Sequence, residues 1–182
     1  MNALTDKAPF PDDFSHVTEW IFDLDNTLYP HEVDLFAQID VNMTGYVADL
    51  LGLSREQARA IQKRYYHEHG RTLKGLMIHH QIDPLDFLNH AHDIDYSILK
   101  PNADLAESIK ALPGRKFIFT NGSVKHAQDA ASALGIVDLF EDIFDIVAAD
   151  YLPKPAHETY EKFTQRHNIK TRSAAMFEDL PR

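Results

Sequence analysis

Four short apolar runs, each stopping at a polar residue, constrain the fold of this chain more than any other feature. Residues 20–22 (WIF) run into Asp23 and Asp25, and residues 116–120 (KFIFT) lead into Thr120, Asn121 and Gly122. Residues 143–149 (IFDIVAA) precede Lys154, held between Pro153 and Pro155, and residues 174–177 (AAMF) end in Glu178 and Asp179. Short apolar runs rich in aromatic and β-branched residues read as strands. From Asp104 onward they alternate with helical stretches such as residues 124–134, the pattern of a parallel sheet with crossover helices. In open sheets of this kind, ligands bind outside the carboxyl ends of the strands. The polar residues closing the four runs therefore converge on one candidate site.

The first run, WIFDLDNTLYP, is the most informative chemically. Residues i and i+2 of a strand share a face, so Asp23 and Asp25 can serve one site. Two crowded anions are costly unless a cation or a shared proton offsets them. An Asp-rich turn alone starts a loop as readily as it builds a site, and a TNG turn or a lone Lys says equally little. Their weight comes from recurrence at four strand ends.

A different period separates the first strand from the second. Leu35, Ile39, Met43, Tyr46, Val47 and Leu50 recur at helical spacing within residues 34–51. Ser54 with Gln57 forms a capping box for a helix running to about Glu68, which Gly70 ends. Residues 73–80 and 85–92 read as two more helices, the second with Pro84 near its start. The expected organisation is an α/β core, residues 14–29 and 101–182, interrupted by an all-helical cap, residues 30–100. Residues 1–13, with Pro9 and Pro11, are expected as a loose leader.

The 182 residues carry a net charge of −10 without a basic run, which argues against nucleic-acid polymers as partners. No window is long and apolar enough for a membrane span, and the N-terminus lacks the apolar core of a signal peptide. With no cysteine, disulfides and thiolate metal sites are excluded, and a cytoplasmic setting is expected.

The order DLDNT, then TNG, then a lone Lys before a helix, then an ED pair resembles the haloacid dehalogenase superfamily of aspartate-nucleophile hydrolases. The wording FDLDNTLYP, YYHEHG, FTNGSVKHA and FEDLPR is similar to its pyrimidine 5′-nucleotidase-like branch, from about Trp20 to the last residue. The resemblance implies a Rossmann-like parallel sheet core with a helical cap, and a Mg²⁺-dependent phosphatase acting on small phosphorylated metabolites. It makes Asp23 the nucleophile that becomes an aspartyl phosphate, with Asp25 the general acid and base. Asp23, the backbone carbonyl of Asp25, and Asp179 fit the hard oxygen ligand set of Mg²⁺, with Glu178 held through water or in support. Thr120, the backbone N–H groups of Asn121 and Gly122, and Lys154 would bind the phosphate. The same resemblance implies a further helix and strand after Asp179, whereas the sequence stops at Arg182; a C-terminally incomplete core is therefore expected. A sugar phosphomutase and a non-catalytic binding domain remain alternatives, whereas a dehalogenase has no use for Asp25.

The eleven histidines include the pairs His79-His80, His90-x-His92 and His67-x-His69. None has the four-residue spacing that places two ligands on one helix face, so solvated faces are expected. Tyr65 and Tyr66 could stack on a nucleobase or fill a core, and Tyr29 and His31 are candidates for substrate contact at the hinge.

Overall fold

The computed structural model describes residues 14–179, so the expected leader lies outside the described residues. Four strands, β1 (Glu19–Phe22), β2 (Arg115–Phe119), β3 (Asp142–Phe144) and β4 (Ala174–Phe177), form one parallel sheet in the order β3-β2-β1-β4. Seven α-helices are described: α1 (Leu35–Leu51), α2 (Arg55–His69), α3 (Thr72–His80), α4 (Pro84–Ala91), α5 (Ala103–Ala111), α6 (Val124–Ala133) and α7 (His157–His167). None is long and apolar enough to cross a membrane.

Strand alternation supplies the sheet with two apolar faces. Trp20, Phe22 and Ile118 pack with Ile109 of α5 and with Ala127 and Ala130 of α6. Ile21, Phe117, Phe119 and Phe144 pack with Phe163 of α7 on the opposite face. The register pairs Ile21 with Phe117 and Phe22 with Ile118, so like-facing side chains lie abreast. This is the expected α/β, Rossmann-like arrangement. Because β2 and β4 flank β1, the chain leaves β1 toward one side and returns on the other. Such a reversal opens a crevice at the carboxyl end of the central strand.

One strand is shorter than expected. The apolar run at residues 143–149 pairs only through Phe144, after which the backbone turns. Buried Asp145 causes the break: its carboxylate accepts from Val124 N (2.9 Å) and Ala148 N (2.8 Å), drawing the chain away from the sheet. Apolarity continued past the strand because Ile146 and Ala149 remain buried inside the turn.

The helices between β1 and β2 follow the sequence closely. Ser54 Oγ accepts from Gln57 N (3.3 Å) and Gln57 Oε1 accepts from Ser54 N (3.1 Å), completing the capping box. Gly70 closes α2 in the left-handed region. Ile39, Val47, Ala58, Tyr65, Leu76 and Phe87, drawn from α1–α4, form a cluster of their own. Gln62 is buried there with its polar groups satisfied, accepting from Thr44 Oγ1 (2.6 Å) and donating to Asp40 Oδ1 (2.8 Å).

Tyr65 packs directly against Gly75, where an added Cβ would stand 2.5 Å from Tyr65 Cβ. Helix propensity alone predicts that Gly75→Ala stabilises α3 by about 1 kcal/mol. Overpacking reverses the sign: we expect a loss of about 1–3 kcal/mol, measured by urea denaturation.

Candidate active site

The end of β1 is extended by one bond, Asp23 N to Phe177 O (2.9 Å), which fixes Asp23 beside the end of β4. Glu178 and Asp179 follow directly. Carboxylate oxygens of Asp23, Glu178 and Asp179 all lie within 4.8 Å of one another, and no other His/Asp/Glu group of this kind occurs among the described residues. Lys154, 3% exposed, donates through Nζ to Asp23 Oδ1 and to Glu178 Oε2, each at 2.7 Å. A buried ammonium is tolerated only when paired and hydrogen-bonded; here two carboxylates meet that need. Asn121 holds the lysine's backbone, accepting from Lys154 N (2.7 Å) and donating to Lys154 O (3.4 Å). Thr27 Oγ1 donates to the other Asp23 oxygen (3.1 Å).

Burial raises the Asp23 pKa to about 6, above the usual carboxylate range, although Lys154 pulls it down; Glu178 and Asp25 add to the rise. The all-oxygen donor set suits a hard divalent cation. Mg²⁺–oxygen distances of 2.0–2.1 Å put opposite ligands about 4.2 Å apart, inside the 4.8 Å that bounds the three carboxylates. Asp23 and Asp179 thus come together as expected, and Glu178, expected only in support, joins them through Lys154.

Asp25 faces the same cavity but is held separately. Its Oδ1 accepts from the Tyr29 hydroxyl and from His126 Nε2, the latter at 2.8 Å. Burial favours its neutral form, but the His126 ring and the two hydrogen bonds outweigh that, and the pKa lies below the ordinary value. His126 is fully buried. Its Nδ1 is hydrogen-bonded to the Tyr96 hydroxyl (2.9 Å), and His92 stacks on its ring with centroids 4.4 Å apart. His92 Nδ1 and Ser123 Oγ are 2.9 Å apart, and burial followed by the neighbouring His126 lowers the His92 pKa to about 3. Sequence reasoning missed His126. The signal lay in FTNGSVKHA: Ser123 caps α6, so a residue three places on sits in its first turn, facing back toward the strand ends.

Other expected residues are placed differently. Thr120 is buried, and its Oγ1 accepts from Gly122 N (2.9 Å), so the glycine amide expected to face an anion is engaged inside the loop. Asn121 and Gly122 do line the cavity. Tyr29 is buried with its hydroxyl on Asp25 rather than facing a substrate, and His31 is exposed beside Glu32. Tyr65 belongs to the helical core, whereas Tyr66 is 49% exposed and lines the cavity. His79 stacks on Tyr65 and its Nε2 lies 3.0 Å from that of His69. The cavity, about 770 Å³, runs from the carboxylates past Phe36 and Met43 of α1 to α2 and α3.

The family model for haloacid dehalogenase-like hydrolases matches residues 21–182. The chain belongs to this family. Phosphate metabolism protein 8 of Saccharomyces cerevisiae is 30% identical over 190 residues, which span 95% of this chain and 58% of that protein. The phosphatase of this family from Thermococcus onnurineus superposes with a TM-score of 0.56 at 17% identity, over 88% of this chain and 76% of that one. L-2-haloacid dehalogenase from Xanthobacter autotrophicus superposes with a TM-score of 0.51 at 17% identity, over 88% and 69%. Both structures establish the fold; neither decides the reaction.

A buried carboxyl whose pKa rises on folding stabilises the fold below its unfolded value, and that contribution is lost as pH rises through the folded value. For Asp23 the window runs from 3.8 to about 6. In the presence of a chelator, the unfolding free energy of Asp23→Asn minus that of the native chain should therefore grow between pH 4 and pH 7.5, by about 2.5 kcal/mol. Denaturant titrations at the two pH values measure it; an unchanged difference would mean that Asp23 ionises freely.

Proposed function

We propose that the chain is a Mg²⁺-dependent phosphatase of small phosphorylated metabolites, working in the cytoplasm through an aspartyl phosphate on Asp23. The observation that carries this reading is the buried Lys154 ammonium bridging Asp23 and Glu178 beside Asp179. It combines a carboxylate nucleophile, a fixed positive charge and a hard-cation ligand set at one point. The yeast relative's name, which places it in phosphate metabolism, agrees. Residues 30–100 are proposed to form the cap, with the remaining described residues as core. A pyrimidine nucleoside 5′-monophosphate is the substrate suggested by FDLDNTLYP and FTNGSVKHA.

Phosphate monoesters resist hydrolysis because anionic nucleophiles are repelled and the leaving alkoxide is poor. When bound by Asp23, Asp179 and the Asp25 carbonyl, Mg²⁺ would offset the charge of the phosphoryl oxygens. Lys154 and the Asn121 backbone N–H would seat the phosphate, with Thr120 bracing Gly122 beneath. An Asp23 carboxylate oxygen attacks phosphorus as the ester P–O bond breaks, and Asp25 gives the leaving oxygen its proton. Water then attacks the aspartyl phosphate; Asp25 takes the water proton and Asp23 is regenerated. Asp25 is ionised in the empty site, and a phosphate dianion arriving beside it raises its proton affinity, which equips it for both roles. A dehalogenase needs no such proton carrier, so the two hydrogen-bond donors committed to Asp25, Tyr29 and His126, favour phosphate chemistry.

Release of phosphate from p-nitrophenyl phosphate should require Mg²⁺, cease with chelator, and fall at least 10³-fold in Asp23→Asn, as removal of a nucleophile demands. Activity surviving in that variant would exclude Asp23 as the nucleophile.

His126 positions Asp25 without touching substrate. His126→Ala should lower kcat by about 10²-fold with KM little changed. Because His126 depresses the Asp25 pKa, its loss should also move the acid limb of the pH profile upward. His126→Gln, which can still donate to Asp25, should recover part of the rate; equal losses in both variants would reduce His126 to packing.

A further inference from the structure

Beyond the carboxylates, the cavity changes sign. Lys63 of α2, Arg71 at the start of α3 and Lys74 of α3 line it on the side of the helices that follow β1, in a chain whose net charge is −10. The acid on this side of the cavity, Asp40 of α1, is already matched by Arg59 NH1 (2.7 Å) and by Gln62 Nε2 (2.8 Å). Among the described residues neither Lys63 nor Lys74 is ion-paired, and both are exposed. Surface lysines are ordinarily solvated and uninformative. Here, however, they share one cavity of about 770 Å³ with the phosphate seat, a volume suited to ligands far larger than phosphate. Tyr66 follows Lys63 by three residues, on the same helix face, and is 49% exposed; Phe36 is 44% exposed. The wall therefore offers apolar rings backed by cations.

We infer that this wall is a second-anion subsite, selecting phosphomonoesters whose organic part carries a further acidic group. The inference rests on the phosphatase reading but not on the nucleotide assignment; among nucleotides, it selects those with an acidic substituent. At the strand ends Lys154 and the Asn121 backbone N–H would seat the scissile phosphate, beside the cation that Asp23 and Asp179 would hold. Lys63 and Lys74, with Arg71 beside them, receive the second anion by charge-assisted hydrogen bonds, while Tyr66 and Phe36 cover the intervening stem. A salt-screened field that merely draws in any phosphate is the competing use of such cations, and it would not distinguish one monoester from another.

The test uses matched pairs of alkyl phosphates and ω-carboxyalkyl phosphates of equal and increasing chain length. At one length kcat/KM should favour the carboxylate by about tenfold, the worth of one charge-assisted hydrogen bond. In Lys63→Ala/Lys74→Ala the acid phosphates should drop to the level of their neutral matches. No preference at any length in the native chain overturns the inference, as does an equal loss on both series. Should no monoester be hydrolysed, the phosphatase reading fails on its own. Calorimetric binding of the same pairs to Asp23→Asn then decides the subsite: a tenfold preference abolished with Lys63 and Lys74 supports it, and equal affinities overturn it.

Discussion

Everything at the strand ends is organised around one buried charge. Lys154 Nζ reaches Asp23 across 131 residues of sequence and Glu178 across 24, while Asn121 grips the lysine's backbone. The carboxyl ends of β1, β2 and β4 therefore meet on a single residue. Stranding one member of a buried ion pair typically costs about 3–5 kcal/mol, so removing either partner alone would leave an uncompensated charge at this junction. The price is a site that carries three carboxylates against one ammonium, and that excess negative charge is what makes the place suited to a divalent cation.

Two aspartates two positions apart end in opposite electrostatic states. Asp23 is pushed up by burial because one ammonium, shared with Glu178, compensates incompletely. Asp25 is pulled down despite burial because His126 and Tyr29 serve it alone. Dividing a pair of carboxyls in this way is how one site supplies two roles at one pH. Here the division follows from chain geometry: β1 directs Asp23 toward β4 and Lys154, whereas the turn at Leu24 to Leu28 aims Asp25 toward α6.

The parts legible in the sequence were those governed by local rules. Strand alternation, the Ser54 capping box and the glycine stop at Gly70 depend on neighbours within a few residues. Convergence at the strand ends was legible too, because parallel topology dictates it. What escaped was set by partners distant in sequence. His126 looked like one histidine among eleven until α6 brought it to Asp25, 101 residues away. Tyr29 looked like a hinge residue because its apolar burial and its bond to Asp25 both depend on the completed core. The run at residues 143–149 looked like a full strand because its burial persists after its pairing stops; only the contact between Asp145 and the start of α6 ends it.

Gly122 shows how closely the two halves of the site depend on each other. A glycine after a strand, opening a helix, suggests a backbone amide presented to phosphate, yet its N–H is bonded to Thr120. The reason for its missing side chain lies on the other side: an added Cβ would stand 2.9 Å from His126 Cδ2 and 3.7 Å from His92 Nε2. The glycine makes room for the stacked imidazoles that hold Asp25. The fold is shared with a dehalogenase and with a phosphatase and is neutral between their reactions. The space cleared at Gly122 serves the residues that hold Asp25, the carboxylate to which the proposed phosphatase reaction assigns its proton transfers.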